Sequence, residues 1–350
     1  MMDVIVENAR DSDSRQWDAL VEASMHGSIF HTWKFLKTIE RHSASRLYPL
    51  LGFRGTEIIG LYPLYFSRKF PLKMVFSPPP HCAVPYLGPV ICGYQGFKQS
   101  ERETVYVEFQ KAVDDFIASE FGADYVSIYT PLGLMDSRPL RWAGYRVEPL
   151  YEYLLDLSVG PDVIWSQLKK KLRNNISRER RQDVTISPGS REDLERIYEM
   201  MLNRYKEQGR VVNVPKDYLM ELYDTLHQQN MRIYVAKHGE EIHGGLIDLY
   251  YKGKACSWIG NSKPYSDNVS SNDLLQWEAI CHAYDSGCRY YEEVGAGIER
   301  LCRYKSKYNP SLRVYFSAKK YSSVIPQAFE YGYSNVMKPL LEKIKNANRA

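Results

Sequence analysis

The chain has 350 residues, of which 44% are hydrophobic and 25% charged, and its formal net charge is +4. This length is enough for two domains with cores of ordinary size, and the composition is typical of a globular protein. No apolar run reaches the roughly 18 residues of a membrane span, and the N-terminus lacks the apolar stretch of a signal peptide. We therefore expect a cytoplasmic protein without a transmembrane segment. We also expect no metal site, because the Cys and His residues show no metal-ligand spacing.

The first half of the chain opens with a short strand at residues 4–6, two helices at about 14–24 and 31–41, and a hairpin around Gly55. Residues 76–90 contain five prolines and should form a stiff, extended segment, in which Tyr86 is predicted to line a pocket. A long helix at 101–121 carries one apolar stripe, and a strand at 124–129 follows it. A short helix and a last strand close this half.

A helix predicted at residues 162–181 lies between the two halves and has the highest density of positive charge in the chain. Trp165, Leu168, Leu172 and Ile176 form its apolar stripe. Over residues 169–181 its other faces carry one acid, Glu179, and seven cations: Lys169, Lys170, Lys171, Arg173, Arg178, Arg180 and Arg181. One interpretation is a solvated helix face. The other is contact with phosphates of a nucleotide, a coenzyme, a tRNA or an anionic membrane surface.

The second half repeats the order of the first. It has a strand at 184–186, helices at 191–208 and 215–229, a hairpin around Gly239, a long helix at 271–286, a strand at 289–294 and a final alternating strand at 312–317. Each half thus reads β-α-α-β-β-β-α-β-α-β, which predicts an α/β fold of mixed α+β sheets with helices on both faces. The predicted domains are residues 1–158, a connecting helix at 159–182, residues 183–320, and a helical tail at 321–350.

Two residues near the end of the second half are candidates for chemistry. Glu293 ends a strand, where its carboxylate could orient or deprotonate an attacking amine. Lys305, on the short helix that follows, could stabilise the oxyanion of a tetrahedral intermediate. Asn261 and Ser271 border the start of the long helix, whose free N–H groups could contact an anion or a carbonyl. The simpler interpretation is a surface acid, a surface lysine and ordinary helix capping.

Four stretches of the second half resemble the FemAB-like branch of the GNAT superfamily, which includes the domains called BioF2-like acetyltransferases. They are WSQLKKKLRNNISRERRQDVTI, RIYVAKHGEEIHGGLIDLYY, NDLLQWEAICHAYDSGCRYYEEVG and RYKSKY. Their order and spacing, more than any single stretch, carry the likeness over residues 165–321. The first half shares the order of elements only.

The resemblance implies two tandem GNAT-like acyltransferase folds joined by the basic helix. It also implies an N-acyltransferase that moves an acyl or aminoacyl group from acyl-CoA or aminoacyl-tRNA to an amine acceptor, small or lipid-linked, in an interdomain cleft. Lys305 matches the family's lysine near the acyl group, and Tyr308 matches the aromatic residue that follows it. Arg173, with Lys169 and Lys170, stands where family members contact phosphates, which makes tRNA a candidate partner.

The donor stays open at this point. Ordinary GNAT enzymes hold the coenzyme A pyrophosphate with a Gly-rich loop before the long helix, whereas residues 261–270 contain no glycine. A second hypothesis is a catalytically silent GNAT-like module that binds RNA or an anionic membrane surface through the basic helix. A third is a peripheral enzyme acting on a lipid-linked cell-envelope precursor. The sequence predicts no oligomeric state.

Overall fold

The computed structural model describes residues 3–323 except residues 183, 210, 211, 213, 263, 267 and 268, and it leaves out the side chains of residues 261–270. The described chain forms two compact units. Unit 1 takes the chain up to Leu150 and again from Val314 to residue 323, and unit 2 takes Tyr151–Arg313. The predicted tail lies outside the described residues from 324 onward. This division into units does not test the domain boundaries expected from the sequence, which stay predictions.

The first half of the chain contains four helices and seven strands in the described residues. The helices are α1 Ser14–Ala23, α2 Trp33–His42, α3 Gln99–Phe116 and α4 Arg138–Trp142. The strands are β1 Val4–Asn8, β2 Arg46–Arg54, β3 Glu57–Lys69, β4 Leu72–Ser77, β5 Val90–Ile91, β6 Tyr125–Tyr129 and β7 Arg146–Asp156.

The second half contains six helices and eight strands in the described residues. The helices are α5 Pro161–Gln167, α6 Lys170–Arg181, α7 Arg191–Glu207, α8 Lys216–Leu226, α9 Asn272–Asp285 and α10 Glu299–Lys305. The strands are β8 Val184–Pro188, β9 Met231–His238, β10 Glu241–Tyr251, β11 Lys254–Ser262, β12 Pro264–Ser266, β13 Val269–Ser270, β14 Tyr290–Glu293 and β15 Ser311–Tyr321.

The sheets of the two units follow the same path. In unit 1 the strand order is β1-β2-β3-β4-β6-β15, and in unit 2 it is β8-β9-β10-β11-β14-β7. All of these pairs are antiparallel except β4–β6 and β11–β14, which are parallel and are joined by the long helices α3 and α9. The predicted mixed α/β fold and the order of elements in each half are confirmed.

The sequence does not show which strands the last strand of each half pairs with. Residues 153–156 of β7 pair with β14 in unit 2, whereas residues 317–321 of β15 pair with β6 in unit 1. Each sheet is therefore completed by a strand from the other half of the sequence. Alternation of apolar and polar residues shows that a segment is a strand, but it does not identify the neighbour of that strand.

The basic segment is two helices, so the prediction of one helix at 162–181 is wrong. The chain is extended at Leu168 and Lys169, between α5 and α6. The backbone N–H of Lys169 donates to the carbonyl of Lys307, and an Arg173 Nη1 donates to the carbonyl of Ser166 at 2.6 Å, near the end of α5. These tertiary contacts replace the hydrogen bonds that a continuous helix would form.

The predicted apolar stripe of this segment is confirmed. Leu168, Leu172 and Ile176 are buried in the core of unit 2 with residues of α9 such as Leu274 and Ile280, and Trp165 packs against this core partly buried. The long helices end as predicted near glycines with positive φ, Gly122 and Gly287. None of the helices in the described residues is long and apolar enough to cross a bilayer.

Candidate functional site

Glu293 is the last residue of β14 and is fully buried, with 0% of its surface exposed. Neither of its carboxylate oxygens has a hydrogen-bond partner among the described residues. Burial raises the pKa of this carboxyl to about 7, although the positive charge of Lys305 acts to lower it. Leaving a buried carboxylate without donors costs several kcal/mol, roughly 2–7 for a polar group in general. Such a group marks a candidate functional site.

Lys305 is the last residue of α10, and its Nζ donates a hydrogen bond to the carbonyl oxygen of Val294. Val294 directly follows Glu293, so this bond fixes the lysine beside the end of β14. The pair predicted from the sequence, Glu293 and Lys305, is therefore brought together in unit 2. Tyr308 lies one helical turn further on, fully buried, with its hydroxyl donating to the carbonyl of Asp273 at 3.3 Å.

The turn between β14 and α10 is held by Glu152, a residue that the sequence analysis missed. Its Oε2 accepts hydrogen bonds from the backbone N–H groups of Gly295, at 2.5 Å, and Ala296, at 3.0 Å. Burial raises the pKa of the Glu152 carboxyl to about 7, and the nearby charge of Glu292 acts in the same direction. The available signal was an acid between two tyrosines at the start of the run YEYLLDL, which also contains Asp156.

Asp248 is a second missed carboxylate, on β10, and its exposed fraction is 0%. Its Oδ2 accepts a hydrogen bond from the Tyr291 hydroxyl at 2.9 Å, and that hydroxyl accepts one from Gln276 Nε2 at 3.0 Å. Oδ1 has no partner among the described residues. Burial raises the pKa of Asp248 to about 8, and the charge of Glu293 contributes. The signal was a single acid in the apolar run GGLIDLYY.

Glu293 lies where two parallel strands part. Residues Lys254–Ser257 of β11 pair with Tyr290–Glu293 of β14, after which β14 ends while β11 continues to Ser262. In open sheets, ligands bind beyond the carboxyl ends of parallel strands, because the backbone groups there lose their sheet partners. The buried carboxylate of Glu293 therefore lies at the carboxyl end of β14, the kind of position where ligands bind in open sheets.

The equivalent position in unit 1 is bridged by the chain itself. The backbone N–H of Leu87 donates to the carbonyl of Tyr129, and that of Gly88 donates to Ser77 Oγ, at 2.9 and 3.0 Å. This segment thus joins the ends of β6 and β4. Gly88 has φ of +73°, and a Cβ there would lie 2.9 Å from the Tyr129 carbonyl oxygen, so the close approach requires glycine.

Tyr86, predicted as a pocket-lining residue, belongs to this bridging segment. It is only 1% exposed, and its ring makes edge contacts with Phe30 and Tyr315 in the core of unit 1. The structure therefore places Tyr86 in unit 1, whereas Glu293 and Lys305 belong to unit 2. Its role in binding stays a prediction.

One of the N–H groups at the N-terminus of α9 already has a hydrogen-bond acceptor. Oε2 of Glu179, from α6, accepts a hydrogen bond from the Leu274 N–H at 2.9 Å, and burial raises the pKa of Glu179 to about 8. Asn175 Nδ2 donates to the Asp273 carboxylate at 2.8 Å. Ser271 is fully buried, and its Oγ has no partner among the described residues. Asn261 lies on β11, but its side chain is outside the described set.

The predicted phosphate-binding residues divide into two groups. Lys169 and Lys170 are exposed, and neither forms a side-chain hydrogen bond or ion pair within the part of the chain that the structure describes. Arg173 is half-buried and bonded through Nη1 to the carbonyls of Ser166 and Trp165. The phosphate contacts of all three residues stay predictions, as does a cleft between the two halves.

Comparison with known proteins supports this description. Residues 166–306 match the family described as "Acetyltransferase (GNAT) domain". The crystal structure of FemX is similar, with a TM-score of 0.66 and 12% identity over 89% of this chain and 96% of that chain. No curated protein matches the sequence.

Two further structures share the fold. One is the C-terminal domain (DUF2156) of a putative lysylphosphatidylglycerol synthetase from Agrobacterium fabrum, with a TM-score of 0.53 and 13% identity over 91% of this chain and 95% of that one. The other is a tandem GNAT protein from the clavulanic acid biosynthesis pathway, with a TM-score of 0.54 and 11% identity over 92% and 98%. At these identities the likeness establishes the fold. The resemblance and the tandem GNAT-like folds expected from the sequence are confirmed.

Proposed function

We propose that the chain, whose residues 166–306 match a GNAT acetyltransferase domain, is an acyltransferase of the FemAB-like branch and that it transfers an acyl or aminoacyl group to an amine at Glu293 in unit 2. The observation that carries the proposal is this carboxylate, which is buried, has no hydrogen-bond partner among the described residues and lies where β11 and β14 part. A carboxyl whose pKa is about 7 is suited to accept a proton at neutral pH.

Lys305 is assigned to the oxyanion that forms when the amine attacks the carbonyl carbon. Two backbone donors that follow β14, the N–H groups of Gly295 and Ala296, are already bonded to Glu152. The ammonium of Lys305 is held beside Val294 and can instead supply the positive charge that an oxyanion needs.

The donor is an acyl-CoA or an aminoacyl-tRNA. Two features argue against the usual Gly-rich loop that binds the coenzyme A pyrophosphate. Residues 261–270 contain no glycine, and the Glu179 carboxyl already accepts a hydrogen bond from an N–H group of α9. A thermal-shift screen with acyl-CoAs, UDP-sugars and aminoacyl-adenosine analogues distinguishes the donors. A ligand at about a hundred times its Kd stabilises the folded state by about 2.7 kcal/mol.

The test of the catalytic role compares two lysines on neighbouring turns. Lys305→Ala should lower turnover with the donor found in the screen by about a hundredfold or more, without changing the unfolding midpoint by more than a few degrees. Lys307→Ala removes a charge two residues away, on a side chain that lies over the Tyr304 ring, and should keep most of the activity. Equal turnover in Lys305→Ala and the wild type would remove Lys305 from the mechanism.

For the acceptor we propose a small or lipid-linked amine. The lipid-linked class is suggested by the fold shared with the putative lysylphosphatidylglycerol synthetase domain. Co-sedimentation with vesicles containing an amine headgroup lipid, compared with phosphatidylcholine vesicles, tests it. Sedimentation with neither kind would leave the small-molecule class.

A second candidate function rests on the exposed cations of the basic segment. Lys169, Lys170 and Lys171 are exposed and have no ion-pair partners within the described residues, as a surface for RNA or anionic lipid requires. Binding to RNA or anionic vesicles that survives Lys305→Ala but is lost in the triple Lys→Ala variant at 169–171 favours this function. Turnover that depends on Lys305 contradicts a catalytically silent module.

A further inference from the structure

Three residues on neighbouring strands of unit 2 lie side by side across the sheet. Asp248 on β10 pairs with Ser257 on β11, and Ser257 pairs with Glu293 on β14. Paired residues on adjacent strands project to the same face of a sheet. The two carboxylates therefore share one face, the face that carries Tyr291 and that α9 covers.

A β-bulge brings Asp248 into this row. Ile247 pairs with Ile259, but the next residue, Asp248, pairs with Ser257, so Trp258 is an extra residue on β11. Without the bulge, Asp248 would face Trp258 and the row would be offset by one residue. Bulges of this kind redirect side chains beside functional sites.

The two carboxylates leave three oxygens without donors. The Tyr291 hydroxyl, itself bonded to Gln276, fixes Oδ2 of Asp248 and leaves Oδ1 open. Oδ1 of Asp248 and both oxygens of Glu293 have no partner among the described residues, and both side chains are 0% exposed. Because buried carboxylates need donors, the arrangement calls for a ligand that supplies several N–H or O–H groups and positive charge.

We propose that Asp248 and Glu293 together bind the acceptor as a primary ammonium ion. The inference rests on the proposed N-acyl transfer and names the ligand class of the same site. An ammonium group offers three donors and no acceptor, and its charge offsets the desolvation of the two acids. An anionic or apolar ligand would leave these oxygens unpaired.

The same pair accounts for the protons of the reaction. The bound ammonium gives one proton to a carboxylate and becomes a neutral amine. Its nitrogen then forms a bond to the carbonyl carbon, while the C–O or C–S bond of the donor breaks. The second proton leaves the nitrogen and neutralises the departing oxygen or sulfur. The products are an amide, a protonated carboxyl and an alcohol or thiol.

Unit 1 offers a matched control. Asp114 Oδ1 accepts hydrogen bonds from the Tyr145 hydroxyl at 2.7 Å and from Gln110 Nε2 at 3.0 Å, so it also belongs to an Asp–Tyr–Gln group. Its Oδ2, however, lies 3.7 Å from Lys320 Nζ, so both oxygens are engaged. Asp114→Asn therefore changes an acid that is also hydrogen-bonded to a tyrosine, although a partly buried one, without removing an open oxygen.

The experiment measures binding of n-propylammonium to the full chain by ligand-observed NMR, with tetramethylammonium as a cation that has no N–H donor. Propylammonium should bind and tetramethylammonium should not. Asp248→Asn and Glu293→Gln should each weaken propylammonium binding roughly tenfold or more, because each removes a buried charge partner. Asp114→Asn should bind like the wild type.

Equal binding of the two cations by the wild type overturns the inference, and this comparison holds even if Asp248→Asn fails to fold. A folded Asp248→Asn variant with wild-type affinity also overturns it. Failure of every acyl donor in the thermal-shift screen would reject acyl transfer while leaving the ammonium site. Donor binding without propylammonium binding would reject only the site proposed here.

Discussion

One oxygen of Glu152 accepts hydrogen bonds from two backbone N–H groups. The effect of these hydrogen bonds can therefore be tested separately from the effect of the charge. Glu152→Ala removes the acceptor and leaves the N–H groups of Gly295 and Ala296 without it, so it should cost about 1–3 kcal/mol in the free energy of unfolding. Because these residues connect Glu293 to the helix of Lys305, turnover should fall as well. Denaturant unfolding and steady-state kinetics measure the two effects.

Glu152→Gln is the control for this prediction. A glutamine keeps a carbonyl oxygen that can accept both bonds, so stability and turnover should stay near those of the wild type. If the glutamine variant loses as much activity as the alanine variant, the charge of Glu152 matters more than its hydrogen bonds.

Four buried acids of unit 2 should make the protein less stable as the pH rises. Burial raises the pKa of Glu152 and Glu293 to about 7, and of Glu179 and Asp248 to about 8. In the unfolded chain these carboxyls titrate near pH 4, so between about pH 4 and 8 the folded state binds more protons. The stabilisation is complete below the unfolded pKa and is lost as the pH rises through the folded values.

We therefore expect the unfolding midpoint to fall by several degrees between pH 6 and 8.5. The double variant Asp248→Asn, Glu293→Gln should show a flatter profile over the same interval. A midpoint that increases steadily with pH in the wild type would contradict the raised pKa values. Scanning calorimetry across this range is the measurement.

The sequence identified some residues of the site and missed others. Glu293 and Lys305 could be found because a strand end and a nearby short helix are visible in the pattern of residues. Asp248 and Glu152 could not be assigned, because their roles depend on the order of the strands in the sheet of unit 2. Glu179 was noticed only as the single acid of the basic segment, although its spacing from Leu172 and Ile176 places it on the buried stripe.

At the scale of elements, the contact between α6 and α9 depends on Glu179. Glu179→Ala should destabilise unit 2 by about 1–2 kcal/mol, because it removes the acceptor for an N–H group at the start of α9. Glu179→Gln keeps an acceptor oxygen and removes a poorly solvated acid, so its stability should match or exceed that of the wild type. Denaturant unfolding at pH 8, where more of the acid is charged, gives the clearest contrast. Equal losses in the two variants would show that packing alone governs this contact.

Helix and strand positions followed well from periodicity, but the interruption of the basic segment did not. Residues 165–172 contain no Pro or Gly, the usual signals of a break. The break arises because the Lys169 N–H bonds to Lys307, more than a hundred residues later in the chain. Local sequence patterns carry no information about such a partner.

At the scale of the whole molecule, the exchange of final strands predicts how fragments behave. A fragment of residues 1–158 includes β7 but lacks β15, the partner of β6, so its sheet should have an unpaired edge. We expect it to aggregate or to unfold without a cooperative transition. Co-expression with residues 159–350 should restore a folded complex, because both exchanged strands are then present. Size-exclusion chromatography and circular dichroism distinguish the outcomes. A monomeric 1–158 fragment with a sharp thermal transition would show that the exchange is dispensable.

Because of the exchange, the sheet of unit 1 stays incomplete until late in synthesis on the ribosome. About 190 residues separate the paired segments of β6 and β15. At about 5–20 residues per second, roughly 10–40 s pass before the strand that completes unit 1 has been made. During that interval the edge of β6 is open to wrong partners, including the same edge on a neighbouring nascent chain. A chaperone that covers exposed strand edges would therefore improve the yield of this protein most while its second half is being translated.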